Sequence, residues 1–318
     1  MKAPKGATTN KIINPKIVIM KKQFCNLATI ILVIVIRTTS LFSQTALPAT
    51  DIYWVDLKMK GGQIELGKPF QMTEWRGYDN QPMFLPDGKS LFYTSIRDDG
   101  QADIYQYKIA ENAITNVTKT FESEYSATPT PDGKFFSVIR VERDSTQRLW
   151  KFPVADGEPV LVFEKVKPVG YHAWGDANTV AMFVLGNPPT LQLGDVRTGK
   201  AEVIEKNIGR SLHKIPKREA MSFVHKVSEN EWLIKQLDLK TRAISTLVKT
   251  LVGSEDYVWT PSAILLMGKE AKLYQYDLKK DATWKEIADF STAGLKSITR
   301  LAVSPKGDRL AVVAIATN

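Results

Sequence analysis

Residues 81–109, QPMFLPDGKSLFYTSIRDDGQADIYQYKI, place a Pro-Asp-Gly set between two apolar runs and end in a third run. In such a set Pro presets φ for the first turn position, Asp can bond back to the backbone, and Gly accepts a positive φ. The runs are rich in aromatic, β-branched and Leu residues, which is typical of strands. The stretch therefore predicts a β-hairpin followed by a third strand.

The same pattern recurs along the chain every 40–50 residues or so. Hairpin segments begin at Gln81, Ser126, Tyr171, Ser211, Asp256 and Arg300. Third-strand segments cover residues 51–57, 103–109, 148–154, 190–196, 232–239 and 272–278. A repeat of this length holds four short strands, which make one blade of a β-propeller. The six copies predict an all-β fold, a six-bladed β-propeller.

The two ends of the repeat region are incomplete in complementary ways. The first copy starts directly at a third strand, residues 51–57, and the last copy has a hairpin at residues 300–316 but no strands after it. Joined, the two half-blades make a sixth blade, which closes the ring and removes exposed sheet edges. This predicts a complete ring, with residues 45–318 as a single propeller domain.

Charge is distributed unevenly between residues 1–44 and the rest of the chain. The formal net charge is +9, but residues 1–44 contain seven Lys or Arg and no acid, which leaves +2 (9 − 7) for the remainder. Nucleic-acid binding requires a basic patch or stripe, and a nearly neutral body gives none. We therefore predict no nucleic-acid partner.

Residues 1–44 have the organisation of an export signal. Lys21-Lys22 precede a thirteen-residue apolar run at 24–36, and small and polar residues follow it. This pattern predicts a signal peptide that starts at Met20 and is cleaved near Ser43-Gln44. The run is shorter than the ~20 apolar residues of a membrane span, which favours a cleaved signal. An uncleaved anchor is the alternative, and it is the only membrane contact that the sequence predicts.

The single cysteine of the chain, Cys25, lies inside this predicted signal. A cleaved chain would therefore have no disulfide, thiol nucleophile or thiolate metal site. We predict a periplasmic or secreted protein.

The repeat resembles that of TolB-like β-propellers, whose pattern is P-x-W-S-P-D-G-K, an apolar strand, and then S-x-R-x-G-x-x-D-I-Y. The matching residues of the first copy are Gln81-Pro82, Phe84, Pro86-Asp87-Gly88-Lys89, Ser95, Arg97, Gly100 and Asp103-Ile104-Tyr105. The second copy keeps Pro131-Asp132-Gly133-Lys134 and Leu149-Trp150, and later copies keep less. The resemblance covers residues 45–318 as an architecture and is specific for the repeat.

Proteins with this repeat have several functions. The resemblance implies either a periplasmic protein that binds partners of the cell envelope, or a non-catalytic domain of a peptidase, or a lyase. TolB also carries an α/β domain before its propeller, and the six residues between Gln44 and Asp51 leave no room for one. The expected function is therefore binding of a protein or peptide. Because the expected domain organisation differs from that of TolB, the chain is not expected to have the function of TolB itself.

The inner strands of a propeller line its central channel, so the aligned starts of the hairpins are candidate binding positions. These candidates are Gln81, Ser126, Tyr171, Ser211, Asp256 and Arg300, together with His172 and His213. Polar residues at all six aligned positions indicate a wet channel mouth. Asp256 and Arg300 lie in neighbouring blades and can pair with each other. Two imidazoles without a set of carboxylates favour packing over metal binding.

From the sequence we expect a monomeric, non-catalytic scaffold that binds a protein or peptide in the cell envelope. The alternative is a lyase or hydrolase that acts on a polysaccharide or peptide at the channel mouth. No catalytic residue, metal site or cofactor is predicted, and a calcium ion in the channel is left open. The fold alone does not distinguish these functions.

Overall fold

Short antiparallel strands make up nearly all of the regular structure of this chain. The computed structural model describes residues 47–60 and 63–316, and the predicted export signal, with Cys25, lies outside these ranges. In the described part of the chain the helical content is one 3-10 turn, Ser291–Ala293. Among those same residues, no helix has the length and hydropathy that a membrane span requires.

The chain begins its regular structure with outer strands and then forms five complete blades. The outer strands are β1 (Asp51–Lys60), β2 (Gln63–Leu66) and β3 (Phe70–Gln71). Blade 1 contains β4 (Tyr78–Phe84), β5 (Ser90–Ile96), β6 (Ala102–Lys108) and β7 (Ala113–Asn116). Blade 2 contains β8 (Ser123–Pro129), β9 (Phe135–Val141), β10 (Gln147–Pro153) and β11 (Val160–Leu161).

Blades 3 to 5 repeat the same antiparallel order. Blade 3 contains β12 (Val169–Trp174), β13 (Thr179–Val184), β14 (Thr190–Asp195) and β15 (Lys200–Lys206). Blade 4 contains β16 (Ile208–Lys214), β17 (Ala220–Ser228), β18 (Glu231–Asp238) and β19 (Ile244–Lys249). Blade 5 contains β20 (Tyr257–Trp259), β21 (Leu265–Lys269), β22 (Lys272–Tyr276) and β23 (Lys285–Asp289).

Blade 6 joins strands from both ends of the described chain. Its two inner strands are β24 (Leu295–Val303) and β25 (Arg309–Ala316), and its outer strands are β1 with β2 and β3. β25 pairs antiparallel with β1, which places Ile52 opposite Val313 and Val55 opposite Leu310. The predicted six-bladed propeller with half-blades at its two ends is therefore confirmed.

The Pro-Asp-Gly sets form the tight turns between first and second strands. In blade 1 the amide of Gly88 donates to the carbonyl of Leu85 at 2.9 Å, and Asp87 Oδ1 accepts from the amide of Lys89 at 2.8 Å. Gly88 has φ +66°, a left-handed conformation that a residue without a Cβ adopts readily. The turn chemistry inferred from the sequence therefore explains this local structure.

The hydrophobic core is divided among the six contacts between neighbouring blades. Blades 1 and 2, for example, share a cluster that contains Phe92 and Ile104 from one blade and Phe136 and Val138 from the other. Five further clusters cover the remaining neighbouring pairs, including the pairs that blade 6 makes with blades 5 and 1. Because successive residues of a strand point to opposite faces, a middle strand must be apolar on both faces to serve two neighbours.

The innermost strands are irregular at one recurring place. The pairing register of the inner strand shifts between Asn80 and Met83 in blade 1 and between Tyr125 and Thr128 in blade 2. Shifts also occur in the inner strands of blades 3, 4 and 6. A bulge bends the strand and changes the direction of the side chain beside it. These bulges lie where the inner strands approach the axis of the ring.

Candidate functional site

All six blades contribute residues to one cavity at the centre of the ring. This axial cavity has a volume of about 100 Å³. It is lined by all eight residues singled out from the sequence: Gln81, Ser126, Tyr171, His172, Ser211, His213, Asp256 and Arg300. The residues selected by aligning the repeats therefore all line the axial cavity. Their role in binding stays a prediction.

The candidate residues lie at different places on the strands from those expected. The repeats were aligned as though these residues began the inner strands, yet Gln81 is the fourth residue of β4 and Ser126 the fourth of β8. Both have φ +57° at the bulges. Arg300 lies even further along β24, whereas Asp256 immediately precedes β20. In blades 1, 2, 3, 4 and 6 the strands start earlier than the sequence indicated, because one to three residues before the bulge also pair with the second strand. In blade 5 the strand starts directly after Asp256.

Arg300 spans the axial cavity. Its Nη2 donates to Tyr171 Oη at 2.7 Å, and its guanidinium carbon lies 4.8 Å from the centroid of the Tyr171 ring. Its Nη1 donates to Asp256 Oδ1 at 2.7 Å, which confirms the expected pairing of these two residues. Arg300 belongs to blade 6 and Tyr171 to blade 3, so this contact joins opposite sides of the six-bladed ring.

Arg210 is a cavity residue that the sequence reasoning missed. Its Nε and Nη2 both donate to the carboxylate of Asp256, and its Nε lies 3.5 Å from Glu255 Oε1. Burial disfavours the charged form, but the charge and hydrogen bond of Asp256, together with Tyr171 and Glu255, outweigh burial and raise the pKa of Arg210 above its usual value. Arg210 lies one residue before Ser211, the aligned position in blade 4, so the alignment of the repeats did not select it. Its contact with Asp256 identifies it as a cavity residue.

Gln81 holds blades 1 and 2 together at the cavity wall. Its Oε1 accepts from Thr94 Oγ1 and from the backbone amide of Ser126, both at 2.8 Å. Its Nε2 donates to Tyr78 Oη at 3.2 Å. Burial raises the pKa of Tyr78 well above its usual value, so this phenol stays protonated. Gln81 therefore uses its amide to fix the backbone of Ser126.

His172 lies in the contact between blades 2 and 3. Its Nε2 is 2.6 Å from Ser137 Oγ, which accepts from Trp174 Nε1 at 2.8 Å and donates to the backbone carbonyl of Thr128 at 3.1 Å. Burial lowers the pKa of His172 from 6.5 to about 3, because the charged ring would lose its solvation. The ring is therefore neutral near pH 7.

His213 is also neutral near pH 7. Its Nε2 lies 3.1 Å from Ser211 Oγ, and its ring packs at a centroid distance of 4.7 Å against Tyr257. Burial lowers the pKa of His213 to about 4, and the negative charge of Asp256 opposes this effect only in part. Both histidines thus add polar atoms but no charge to the cavity wall.

Three polar atoms of cavity residues are buried without a hydrogen-bond partner among the residues that the structure describes. They are Arg300 Nε, Ser126 Oγ and His172 Nδ1. Buried polar groups are nearly always satisfied, so each such atom requires an explanation. The axial cavity is therefore a place where protein groups alone do not complete the hydrogen bonding.

The residues of the axial cavity do not fit a calcium ion. Calcium takes about 6–8 oxygen ligands, several of them carboxylates. The carboxylate that lines this cavity is Asp256, and it is already paired with Arg210 and Arg300. In the described ranges no group of three or more His, Cys, Asp or Glu side chains is placed to hold a metal.

Two other buried acids pair with a residue of their own blade, away from the axial cavity. Glu124 Oε1 accepts from Arg140 Nε at 3.1 Å, and burial raises the pKa of Glu124 to about 7 despite this pairing. Asp79 Oδ1 accepts from Ser95 Oγ at 2.5 Å, and burial likewise raises the pKa of Asp79. Neither carboxylate lines the axial cavity.

Comparison with known proteins places this fold among six-bladed propellers. No family model and no curated protein matches the sequence. The structure is similar to that of a putative TolB from Agrobacterium tumefaciens, with a TM-score of 0.65, 14% identity and coverage of 83% of this chain and 97% of that one. It is also similar to TolB from Acinetobacter baumannii, with a TM-score of 0.53, 12% identity and coverage of 84% and 64%.

A further similar structure is described as a putative gluconolactonase. The TM-score is 0.55 and the identity 8%, with coverage of 82% of this chain and 92% of that one. Because proteins of different function share this architecture at such low identity, the likeness shows the fold alone. The chain is thus a six-bladed β-propeller with structural similarity to TolB propellers.

Proposed function

We propose that this protein is an exported, non-catalytic scaffold that binds a protein or peptide of the cell envelope over the axial cavity. The observation that carries this proposal is the set of side chains from all six blades that meet there, with three buried polar atoms unpaired. A rigid ring that holds such a set in place suits recognition, because few groups must be ordered on binding.

The size of the cavity supports a partner that lies outside the ring and inserts one group. Pockets for small molecules usually have volumes of about 300–1,000 Å³, whereas the axial cavity has about 100 Å³. One side chain or chain terminus fits such a space, and a sugar chain does not. The rest of a partner would rest on the surrounding loops, where propellers vary most.

The ionisation of the cavity groups also supports binding over catalysis. A general acid or base works best with a pKa near the operating pH. His172 and His213 have pKa values of about 3 and 4, well below neutrality. Asp256 is held between two arginines. These groups support a fixed polar surface, and no observation favours the lyase or hydrolase alternative in the same way.

A cavity-dependent capture experiment tests the proposal. The tagged full chain, expressed in its source bacterium, would be cross-linked in the envelope, and co-purified proteins quantified by mass spectrometry. We expect a defined partner whose recovery falls at least about tenfold when Tyr171→Ala is combined with Arg300→Ala, an amount that one or two lost hot-spot contacts supply.

A matched variant on the outside of the ring controls for loss of an arginine. Arg242→Ala removes an exposed ion pair in which Arg242 Nε lies 3.0 Å from Glu202 Oε1, and recovery should stay unchanged. Circular dichroism of each purified variant would establish that it is folded. Equal recovery with the cavity variant and the wild type would overturn a role for the axial cavity in binding.

A further inference from the structure

We propose that the axial cavity binds a carboxylate group, which a partner supplies from its chain terminus or from an acidic side chain. This inference rests on the proposed function and names the chemistry of the inserted group. Its basis is the charge, the unpaired donors, the size and the rigidity of the cavity.

The charged groups of the cavity leave a surplus of positive charge. Arg210 and Arg300 contribute two positive charges and Asp256 one negative charge, while the adjacent Glu255, 3.5 Å from Arg210 Nε, also pairs with Lys226 at 3.0 Å. The two histidines of the wall are neutral near pH 7. One positive charge is therefore uncompensated among these side chains. A guanidinium presents several donors in a planar fork that matches a carboxylate.

Two of the unpaired atoms of the cavity residues belong to donor groups, which a carboxylate can satisfy. Arg300 Nε is a buried donor, and Ser126 Oγ carries a hydroxyl proton that no protein acceptor uses. An ionised carboxylate only accepts hydrogen bonds and has about four acceptor positions. Both residues thus offer the kind of proton that a carboxylate accepts.

The dimensions of the cavity agree with a group of a few atoms. Its volume of about 100 Å³ exceeds what one water molecule needs. A carboxylate with the methylene that carries it contains about four heavy atoms, so it fills such a space without displacing the walls. Phosphorylated sugars or nucleotides are larger than this and do not fit.

The donors are held in position before any ligand arrives. The backbone amide of Ser126 donates to Gln81 Oε1 at 2.8 Å, which fixes the bulge that carries Ser126. Tyr171 and Asp256 hold the other two nitrogens of Arg300. Pre-positioned donors lower the entropic cost of binding. The geometry thus favours recognition of one small anionic group.

Small carboxylates give a direct test that needs no knowledge of the partner. Line broadening of ¹³C-acetate in NMR would be measured with the full chain, with acetamide as the neutral analogue. We expect acetate to bind with a Kd near the millimolar range and acetamide to show no binding. Arg300→Gln should weaken acetate binding at least about tenfold, because it removes the surplus positive charge.

Two further variants separate the site from the fold and from general charge. Ser126→Gly removes the hydroxyl, and glycine accepts the φ of +57° at this position, so the variant should fold and bind acetate several-fold more weakly. Arg197→Gln removes an exposed arginine that pairs with Asp195 at 2.8 Å outside the cavity, and it should bind acetate like the wild type.

Two peptides distinguish the source of the carboxylate. Tetra-alanine with a free carboxyl terminus and its amide would be titrated against the wild type, alongside a terminally blocked peptide that contains one Asp. Binding of the free acid alone assigns a chain terminus, and binding of the Asp peptide assigns a side chain. Equal broadening by acetate and acetamide, or equal binding by wild type and Arg300→Gln, would overturn the proposal.

The two proposals fail in different ways. Acetate binding without any cavity-dependent partner in the envelope would support the carboxylate site and reject the scaffold function. A partner whose capture requires the cavity, together with no carboxylate binding, would support the scaffold and reject the carboxylate site.

Discussion

At the scale of single residues, two equivalent positions make the same contact with different side chains. His172 Nε2 in blade 3 faces Ser137 Oγ at 2.6 Å, and Tyr257 Oη in blade 5 donates to Ser222 Oγ at 2.8 Å. In each case a tryptophan two residues further on donates to the same serine at 2.8 Å. His172 is therefore one version of a repeated contact between blades, and its low pKa follows from that burial.

Replacing His172 with Tyr should make the protein less sensitive to acid. The folded-state pKa of His172 is lowered from 6.5 to about 3, so the stability it contributes is full above pH 6.5 and is lost as the pH falls towards 3. Between pH 7 and pH 5 this one group accounts for a loss of about 2 kcal/mol in the free energy of unfolding. His172→Tyr should remove that loss, as measured by urea unfolding at several pH values.

The comparison must isolate one histidine from the other titrating groups. His213, Glu124 and the remaining acids are present in both proteins, so the difference between the two pH curves belongs to position 172. Tyr257 shows that a tyrosine reaches the equivalent serine in this fold. Parallel curves for the two proteins would mean that burial of His172 does not control its ionisation.

At the scale of elements, the second strand of one blade is tied to the first strand of the next by a buried serine. Ser222 on β17 accepts from Tyr257 Oη and from Trp259 Nε1 on β20, and it is fully buried. Between blades 4 and 5, these side-chain hydrogen bonds add to the apolar packing that holds the two blades together.

Ser222→Ala should destabilise the protein far more than its small change in volume implies. The substitution leaves two buried donors without an acceptor, at a cost of about 1–3 kcal/mol each. We expect a loss of about 2–4 kcal/mol in the free energy of unfolding, measured in urea.

An exposed serine provides the matched control for this substitution. Ser245 on β19 is exposed and accepts from Gln236 Nε2 at 2.9 Å, so Ser245→Ala should cost less than about 0.5 kcal/mol. Similar losses in the two variants would show that the buried serine contributes no more than a surface one.

At the scale of the whole molecule, the ring is closed by pairing between β1 and β25. This pairing places core residues of both strands, such as Ile52 and Val313, in the cluster that blade 6 shares with blade 1. Each blade thus contacts two neighbours through apolar clusters, and blade 6 is no exception. A closed ring of this kind has no blade that can separate without losing two such contacts.

Ile52→Ala and Leu149→Ala should both lower the stability of the entire ring. Both side chains are fully buried, Ile52 in β1 and Leu149 in β10 of blade 2. Each truncation should cost about 2–5 kcal/mol. The unfolding curves from tryptophan fluorescence and circular dichroism should coincide, because a cooperative ring unfolds in one transition.

A surface truncation and a local probe make this prediction specific. Val252→Ala, at a side chain that is 63% exposed, should change stability by less than about 0.5 kcal/mol. Hydrogen exchange would reveal a separate opening of blade 6 if one occurred. Early exchange of β1 and β25 in Ile52→Ala, with the other blades protected, would show that closure is the weakest part of the ring.

Much of the architecture was predictable because its signals are local. The turn at Gly88 and the alternating strands beside it depend on residues adjacent in sequence, and six copies of this unit specify the number of blades. The half-blades at residues 51–57 and 300–316 then predicted the closure that β1 and β25 make. Repetition also aligned positions such as Tyr171 and Arg300, which is why the candidates share one cavity.

The chemistry of the site was decided by tertiary structure. The contact between Arg300 and Tyr171 crosses the ring between residues separated by 129 positions, and no local pattern encodes it. Arg210 escaped the alignment because its long side chain reaches Asp256 from a neighbouring position. The sequence by itself determined the repeat, the blades and the closed ring. Only folding decided which polar atoms meet at the axis and which remain unpaired, because hydrogen bonding there depends on distances between blades.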